Sequence, residues 1–299
     1  MLIRKSLSVI LIFAAVLLIA FQYSPSGVRT PLRPQNEQWQ PSLTSIDTMD
    51  KAMPIVTRLI QAQQGSREEK IVKGIDEFVR DRFVHGISHT SWRENWALAA
   101  LGGAPPYGLS VPLGTDSILR HRHAMCSQQS IIFMELLRRF DMHYAAVRFA
   151  WPSADPTGRG HFAVAAKVDG RWRYYDSNLE AANAPLIRDI LNGSAASTTY
   201  PGNPWWVPKM QYAAKHGGII VDSFDTHPGP RGLLLQQFTS IISDLTPAIL
   251  ALIALLSWPG VVTRLRGMYS GSRNRTRLTA SSTMQSPEIF NTNRLGSNS

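Results

Sequence analysis

The sequence predicts an α+β fold in which helices pack on an antiparallel sheet, with apolar, membrane-type segments at both ends of the chain. Three observations carry this reading. Helical spacing of apolar residues fills the first half of the body, and strand-like runs begin only after residue 143, with no βαβ alternation. Asp169-Gly170 lies between two alternating apolar runs, a short-range signal for a tight hairpin. Residues 7–21 and 238–258 are apolar runs of the kind that enter bilayers, and they bracket everything else.

Residues 1–23 open with Arg4 and Lys5 ahead of the apolar run and close before Ser24, Pro25, Ser26 and Gly27, the pattern of a signal anchor or signal peptide. Residues 24–65 are a linker running into a first helix, Met49 to Ala62. Residues 66–230 form the folded domain. It begins with a helix from Arg67 to Val84, where Ile71, Ile75, Phe78, Val79 and Phe83 recur at three- and four-residue steps behind Glu68 and Glu69 in the first turn. A short helix spans Ser91 to Leu101, and Gly and Pro then dominate a loop to Gly114. The next helix runs from Cys126 to Phe140, with Phe133, Leu137 and Phe140 on one face and Arg138 and Arg139 complementing the dipole in its last turn. Strands are expected at Tyr144 to Ala150, Phe162 to Val168 and Arg171 to Asp176, with a last short one at Gly218 to Phe224. Residues 195–212, rich in Pro, Gly, Trp and Tyr, read as loop. A transmembrane helix is expected at 238–258, with Asp244 and Pro247 in its first half, and residues 259–299 read as a basic, disordered cytoplasmic tail.

The formal charge of +10 resembles a nucleic-acid signal until it is divided along the chain. Residues 1–35 hold Arg4, Lys5, Arg29 and Arg33 without an acid, and residues 259–299 hold six Arg against Glu288 alone. The body between them keeps only +1, so no basic stripe exists to grip phosphates and a nucleic-acid partner is excluded. The excess flanks the apolar runs, which by the positive-inside rule places both termini in the cytoplasm and the domain on the periplasmic or extracellular side of a cell membrane. Arg29 and Arg33 flank the first run on the opposite side. A single cysteine excludes an internal disulfide, so the domain rests on its core.

That cysteine, Cys126, falls at the predicted N-terminus of its helix. Unpaired N–H groups and the positive end of the dipole stabilise a thiolate there, and the same N–H groups can donate to an oxyanion. A base is needed beside it. A two-residue loop at Asp169-Gly170 pairs Val168 with Arg171, and counting back sets Ala163 opposite Asp176 and His161 opposite Asn178. His161 and Asp176 then share a sheet face as diagonal neighbours, about 7–8 Å apart at the backbone and within side-chain reach. Taken singly, Cys126 could be a small buried hydrophobe, His161 a strand-end histidine and Asp176 a strand terminator; their joint placement is what points to nucleophilic catalysis. His121, His123 and Cys126, with His161, offer an alternative set of transition-metal ligands, without the second ligand pair that a zinc site usually shows. Trp205 and Trp206 could line a groove or pack under the loop, and His227 reads as a loop residue.

The stretches CSQQSIIFMELLRRFDMHYAAVRFAW and GRGHFAVAAKVDGRWRYYDSN resemble the core of the transglutaminase-like superfamily. They show Cys opening a helix, a strand near Ala145, a Gly-His strand start, a DG-x-W turn and a strand-ending Asp. The likeness covers residues 120–180 and departs from the family at Met125 and at Phe162-Ala163. It implies a papain-like fold for the body, with Cys126 as nucleophile, His161 as general base and acid, and Asp176 as the group that orients it. No cofactor or metal is implied. The implied function is a membrane-tethered thiol acyl-transfer enzyme acting on a protein, peptide or envelope-polymer substrate by hydrolysis, deamidation or transamidation. The competing expectation is an inert binding scaffold of the same fold in envelope or polysaccharide assembly.

Overall fold

A computed structural model describes residues 2–23, 39–102, 107–152 and 160–258; the linker stretch 24–38 and the tail 259–299 lie outside the described residues. The chain divides into two compact units, Ser24–Asp244 and Met1–Tyr23 with Leu245–Ser299. The fold is mixed helix and sheet, and its four-stranded sheet is antiparallel.

In the smaller unit, α1 (Leu2–Tyr23) turns Val9, Ile10, Phe13, Val16 and Leu17 outward and buries the small residues Ser8 and Ala15. Among the described residues one helix is long and apolar enough to cross a membrane, the 28-residue α10 (Pro230–Ser257); the apolar part of α1, Ser6–Ala20, is shorter.

The larger unit begins with α2 (Met49–Ala62), capped by the Thr48 hydroxyl accepting from the Lys51 N–H, and α3 (Arg67–Arg82). In α3 the Ser66 hydroxyl accepts from the Glu69 N–H and the Glu69 carboxylate accepts from the Ser66 N–H, so two orphan donors are satisfied reciprocally. The sequence carried α3 on to Val84. It stops earlier because Val84–His85 leaves as a two-residue strand, β1, which pairs in parallel with β2 (His123–Ala124). The guanidinium of Arg82, fully buried, donates to the carbonyl oxygens of Ile46 and Leu119 and so ties three segments together.

Helix α4 (Trp96–Gly102) starts later than the sequence suggested. The Asn95 carboxamide accepts from the Leu98 N–H, which makes Asn95 the cap, while Ser91 to Glu94 forms a separate turn. A 3-10 turn at Tyr107–Ser110 interrupts the expected loop, and the short α5 (Thr115–Leu119) follows it. Then α6 (Cys126–Arg139) leads to the sheet, β3 (Tyr144–Ala150), β4 (Gly160–Val168) and β5 (Arg171–Tyr175). After β5 comes α7 (Ile187–Leu191), the segment read as loop contains α8 (Ala196–Thr199) and most of α9 (Val207–Lys215), and β6 (Ile219–Val221) completes the sheet in the order β5-β4-β3-β6.

The hairpin between β4 and β5 has the register the sequence set. Val168 pairs with Arg171 and Val164 with Tyr175, and Asp169 and Gly170 have φ of 49° and 75°, the pair of positive values that a two-residue turn with right-handed strand twist requires. Each sheet face buries its own core. Val164, Ala166 and Tyr175 pack with Ile75, Phe78, Phe133 and Leu136 of α3 and α6. On the other face Phe149, Ala163 and Tyr174 pack with Ile190, Tyr200, Trp206 and Met210 from the α7–α9 region. The sheet is thus covered on both sides, and the catalytic candidates fall where α6 meets the start of β4.

Candidate active site

Cys126 is the first residue of α6. Its neighbours in the first turn are fixed by the Gln128 carboxamide, whose oxygen accepts from the Met125 N–H and whose nitrogen donates to Ser88 and to the Pro112 carbonyl. The N–H groups of Gln128 and Gln129 bond to the Met125 carbonyl, so those of Cys126 and Ser127 are the donors that helix geometry leaves without a helical acceptor at this end. Ser130, one turn on, donates to the carbonyl of Phe162 and so ties α6 to the strand that carries His161.

His161 lies at the start of β4, 7% exposed, and Asp176 follows the last residue of β5, 2% exposed. Their side chains meet, with Nε2 of His161 2.7 Å from Oδ2 of Asp176. The diagonal pairing inferred from the hairpin register is therefore present. Nε2 is engaged by Asp176 and Nδ1 is the other ring nitrogen, and the imidazole lies close enough to Cys126 for each group to shift the pKa of the other. The structure brings all three residues together.

The carboxylate of Asp176 accepts from five donors. Oδ2 takes His161, the Tyr200 hydroxyl at 2.5 Å and the Tyr174 hydroxyl at 3.3 Å. Oδ1 takes the N–H groups of Asn178 and Leu179, both at 3.2 Å. Burial by itself would raise this carboxyl, but the His161 charge and these hydrogen bonds outweigh it and hold it below its ordinary value. The same balance governs the imidazole. Burial pushes it down, the charges of Asp176 and Cys126 and their hydrogen bonds push it up, and the net result is a pKa of about 10 against an ordinary 6.5. For Cys126, burial raises the thiol, while the imidazole of His161 and the backbone of Phe162 lower it, and the net direction is down. Both shifts run in the direction that favours a thiolate beside an imidazolium steadied by a carboxylate.

Aromatic rings enclose this pair. Trp206, 3% exposed, stands edge-on to the His161 ring at 4.7 Å, and Phe149 lies 6.0 Å from it. Trp206 also meets Trp151 at 4.9 Å. Its neighbour Trp205 is 56% exposed, so the two tryptophans of the sequence have separate fates: one packs against the imidazole and the other faces solvent.

The remaining candidates separate from the site. His121 lies within 3.2 Å of Glu94, although not aligned for a hydrogen bond, and His123 packs beside Gly86. Among the described residues no group of three His, Cys, Asp or Glu side chains is arranged to hold a metal ion. His227 has both nitrogens engaged, Nε2 with the Leu113 carbonyl of a distant segment and Nδ1 with the Gly229 N–H of its own loop. Sequence reasoning missed Tyr174, Tyr200 and the role of Trp206. Tyr174 was within reach, because a residue two before Asp176 on one strand shares its face. Tyr200 and Trp206 arrive from the distant α8–α9 segment, and no local spacing marks them.

No protein-family model matches this chain, and no curated protein matches it. Among solved structures, one described as "Crystal structure of a TGase" is similar to it at 16% identity and a TM-score of 0.28, covering 44% of this chain and 33% of that one. The chain thus matches about a third of the length of that structure.

Proposed function

We propose that this chain is a transglutaminase-like thiol acyl-transfer enzyme, with Cys126 as nucleophile, His161 as general acid and base, and Asp176 as the residue that positions and charges the imidazole. The observation that carries the reading is the buried His161–Asp176 pair, in contact with a helix-opening cysteine whose thiol is lowered. The thiolate attacks a carboxamide or ester carbonyl, and the developing oxyanion finds donors in the first-turn N–H groups of α6. The His161 imidazolium gives its proton to the departing amine or alcohol, leaving a thioester on Cys126. Water or an incoming amine then loses a proton to the neutral imidazole as it attacks the thioester, and the thiolate is regenerated. A protein, a peptide or an envelope polymer is the proposed substrate. Tethering is proposed through α10 with α1, and the charge distribution supports an outward-facing domain.

The test uses an activated nitrophenyl ester. Wild type is expected to release a burst of nitrophenol and to carry the acyl group on Cys126 by mass spectrometry. Cys126→Ser should lose both signals and His161→Ala should slow the burst. Absence of both the burst and the acylation of Cys126 in folded wild type would count against an enzyme and for the inert scaffold. Competing hydroxylamine against water shows which of them resolves the thioester.

A further inference from the structure

Residues 96–114 (WALAALGGAPPYGLSVPLG) contain no charged side chain, and nothing in the proposed chemistry uses them. Their described ends are fastened to the first half of α10. Asn95 Nδ2 donates to the Thr239 hydroxyl at 2.9 Å and to the Gln236 carbonyl at 3.3 Å. The Ser243 hydroxyl donates to Asn95 Oδ1 at 2.9 Å and accepts from the Ala97 N–H at 3.2 Å. On the return side, Gln236 accepts from the Leu113 N–H at 2.8 Å and donates to the Val111 carbonyl at 2.7 Å. Leu113 fits against Gly232, where a Cβ would lie 2.6 Å from its Cδ1, so a glycine is what lets the two segments approach.

The consequence is an inside-out helix. Gln236, Thr239 and Ser243 form a polar stripe at helical spacing that is turned into the protein, with Thr239 2% and Ser243 0% exposed. Leu234, Phe238 and Ile241 form the opposite stripe and are 65%, 62% and 56% exposed. A helix on a water-facing protein surface has the reverse arrangement. Beside it, Leu101 is 56% and Leu109 43% exposed, on the segments that these hydrogen bonds hold to α10. Arg231, exposed one turn before Leu234, supplies a cation suited to a headgroup phosphate. Gln237 and Asp244 are exposed too, which places this surface at the polar boundary of a bilayer and not in its centre.

We infer that α4, the Leu109–Leu113 segment and α10 up to Asp244 form one surface that docks on a lipid bilayer at the headgroup–acyl boundary. The domain then rests on the membrane at a fixed height instead of hanging from a flexible tether. This inference rests on the reading of α10 as a membrane anchor. The occupant is lipid, because an outward apolar surface, with its charges confined to Arg231 and Asp244 at the two ends of the docking stretch, continues along a helix of span length.

The experiment uses the full-length chain in phosphatidylcholine vesicles. Single cysteines are introduced by Leu101→Cys, Leu109→Cys, Ile249→Cys and Lys167→Cys in a Cys126→Ser background, each carries an environment-sensitive fluorophore, and lipid brominated near the headgroup end of its chains is the quencher. Labels at 101 and 109 should lose about half their emission or more, as fits a depth of about 5–10 Å, while 167 stays bright. Quenching at 249 with none at 101 and 109 overturns the docking surface and leaves the anchor standing. No quenching at 249 overturns the anchor and the inference with it. Labels at 101 and 109 that are shielded from water yet insensitive to bromine would mean a protein covers the surface, which also overturns it.

Discussion

Replacing Asp176 with Asn removes one charge and almost no volume, so its effect is set by the five donors around the carboxylate. Oδ2 faces His161 and two hydroxyls, and Oδ1 faces two backbone N–H groups. An amide has one oxygen, so whichever way it turns, its NH2 opposes donors on one side. The loss in stability is roughly 1–3 kcal/mol, the range for an unsatisfied buried group. The larger consequence is for the imidazole. Asp176 is the strongest influence raising it to about 10, and without that charge burial drives it down. Cys126 then loses its cationic partner and moves up toward its ordinary 9.0. A thiol at that value is about 1% ionised at pH 7 and about 0.1% at pH 6. A more basic thiolate is a better nucleophile, by on the order of threefold per unit, so part of the loss at pH 7 is recovered. The discriminating quantity is therefore the pH dependence. Second-order alkylation by iodoacetamide should fall about tenfold further behind wild type for each pH unit descended, as long as wild type stays ionised. A folded Asp176→Asn protein whose alkylation profile superimposes on wild type would refute the role given to this carboxylate.

Three further substitutions separate the site from its frame. Tyr200→Phe removes the 2.5 Å hydroxyl donor to Asp176 and the partner of Tyr174, and should cost about 1–3 kcal/mol in urea unfolding while raising the Asp176 carboxyl. Arg82→Met strands the Ile46 and Leu119 carbonyls in the interior, and should cost roughly 3 kcal/mol or more by the same measurement with the Cys126 alkylation profile unchanged in the folded protein. Gly170→Val forces a β-branched side chain to a φ of 75°, for a loss of about 1–2 kcal/mol that alkylation kinetics should not register.

What the sequence disclosed was governed by short range. The Asp169-Gly170 turn set a register that reached from Val168 back to His161, and the strand pairing obeys it. Cys126 was placed at a helix start by apolar spacing alone, and α6 begins there. The outer enclosure was hidden, because Tyr200 and Trp206 reach the site through packing of short helices whose Pro- and Gly-rich sequence has no periodicity of its own. Val84–His85 was read as the end of a helix because nothing local announces a parallel partner 39 residues away at His123–Ala124. The helix that contains the expected 238–258 span is longer than that span for a similar reason. Pro230 starts the helix, and its first turns are held by side chains from Asn95 to Leu113 that a hydropathy pattern does not weigh.

The most direct test is a titration of the Cys126 sulfur by its ultraviolet thiolate absorbance, taken as the difference between wild type and Cys126→Ser. A midpoint below pH 9.0 in wild type that moves upward in His161→Ala is the expected result. A thiol that ionises at or above 9.0 in the folded wild-type protein would contradict the account.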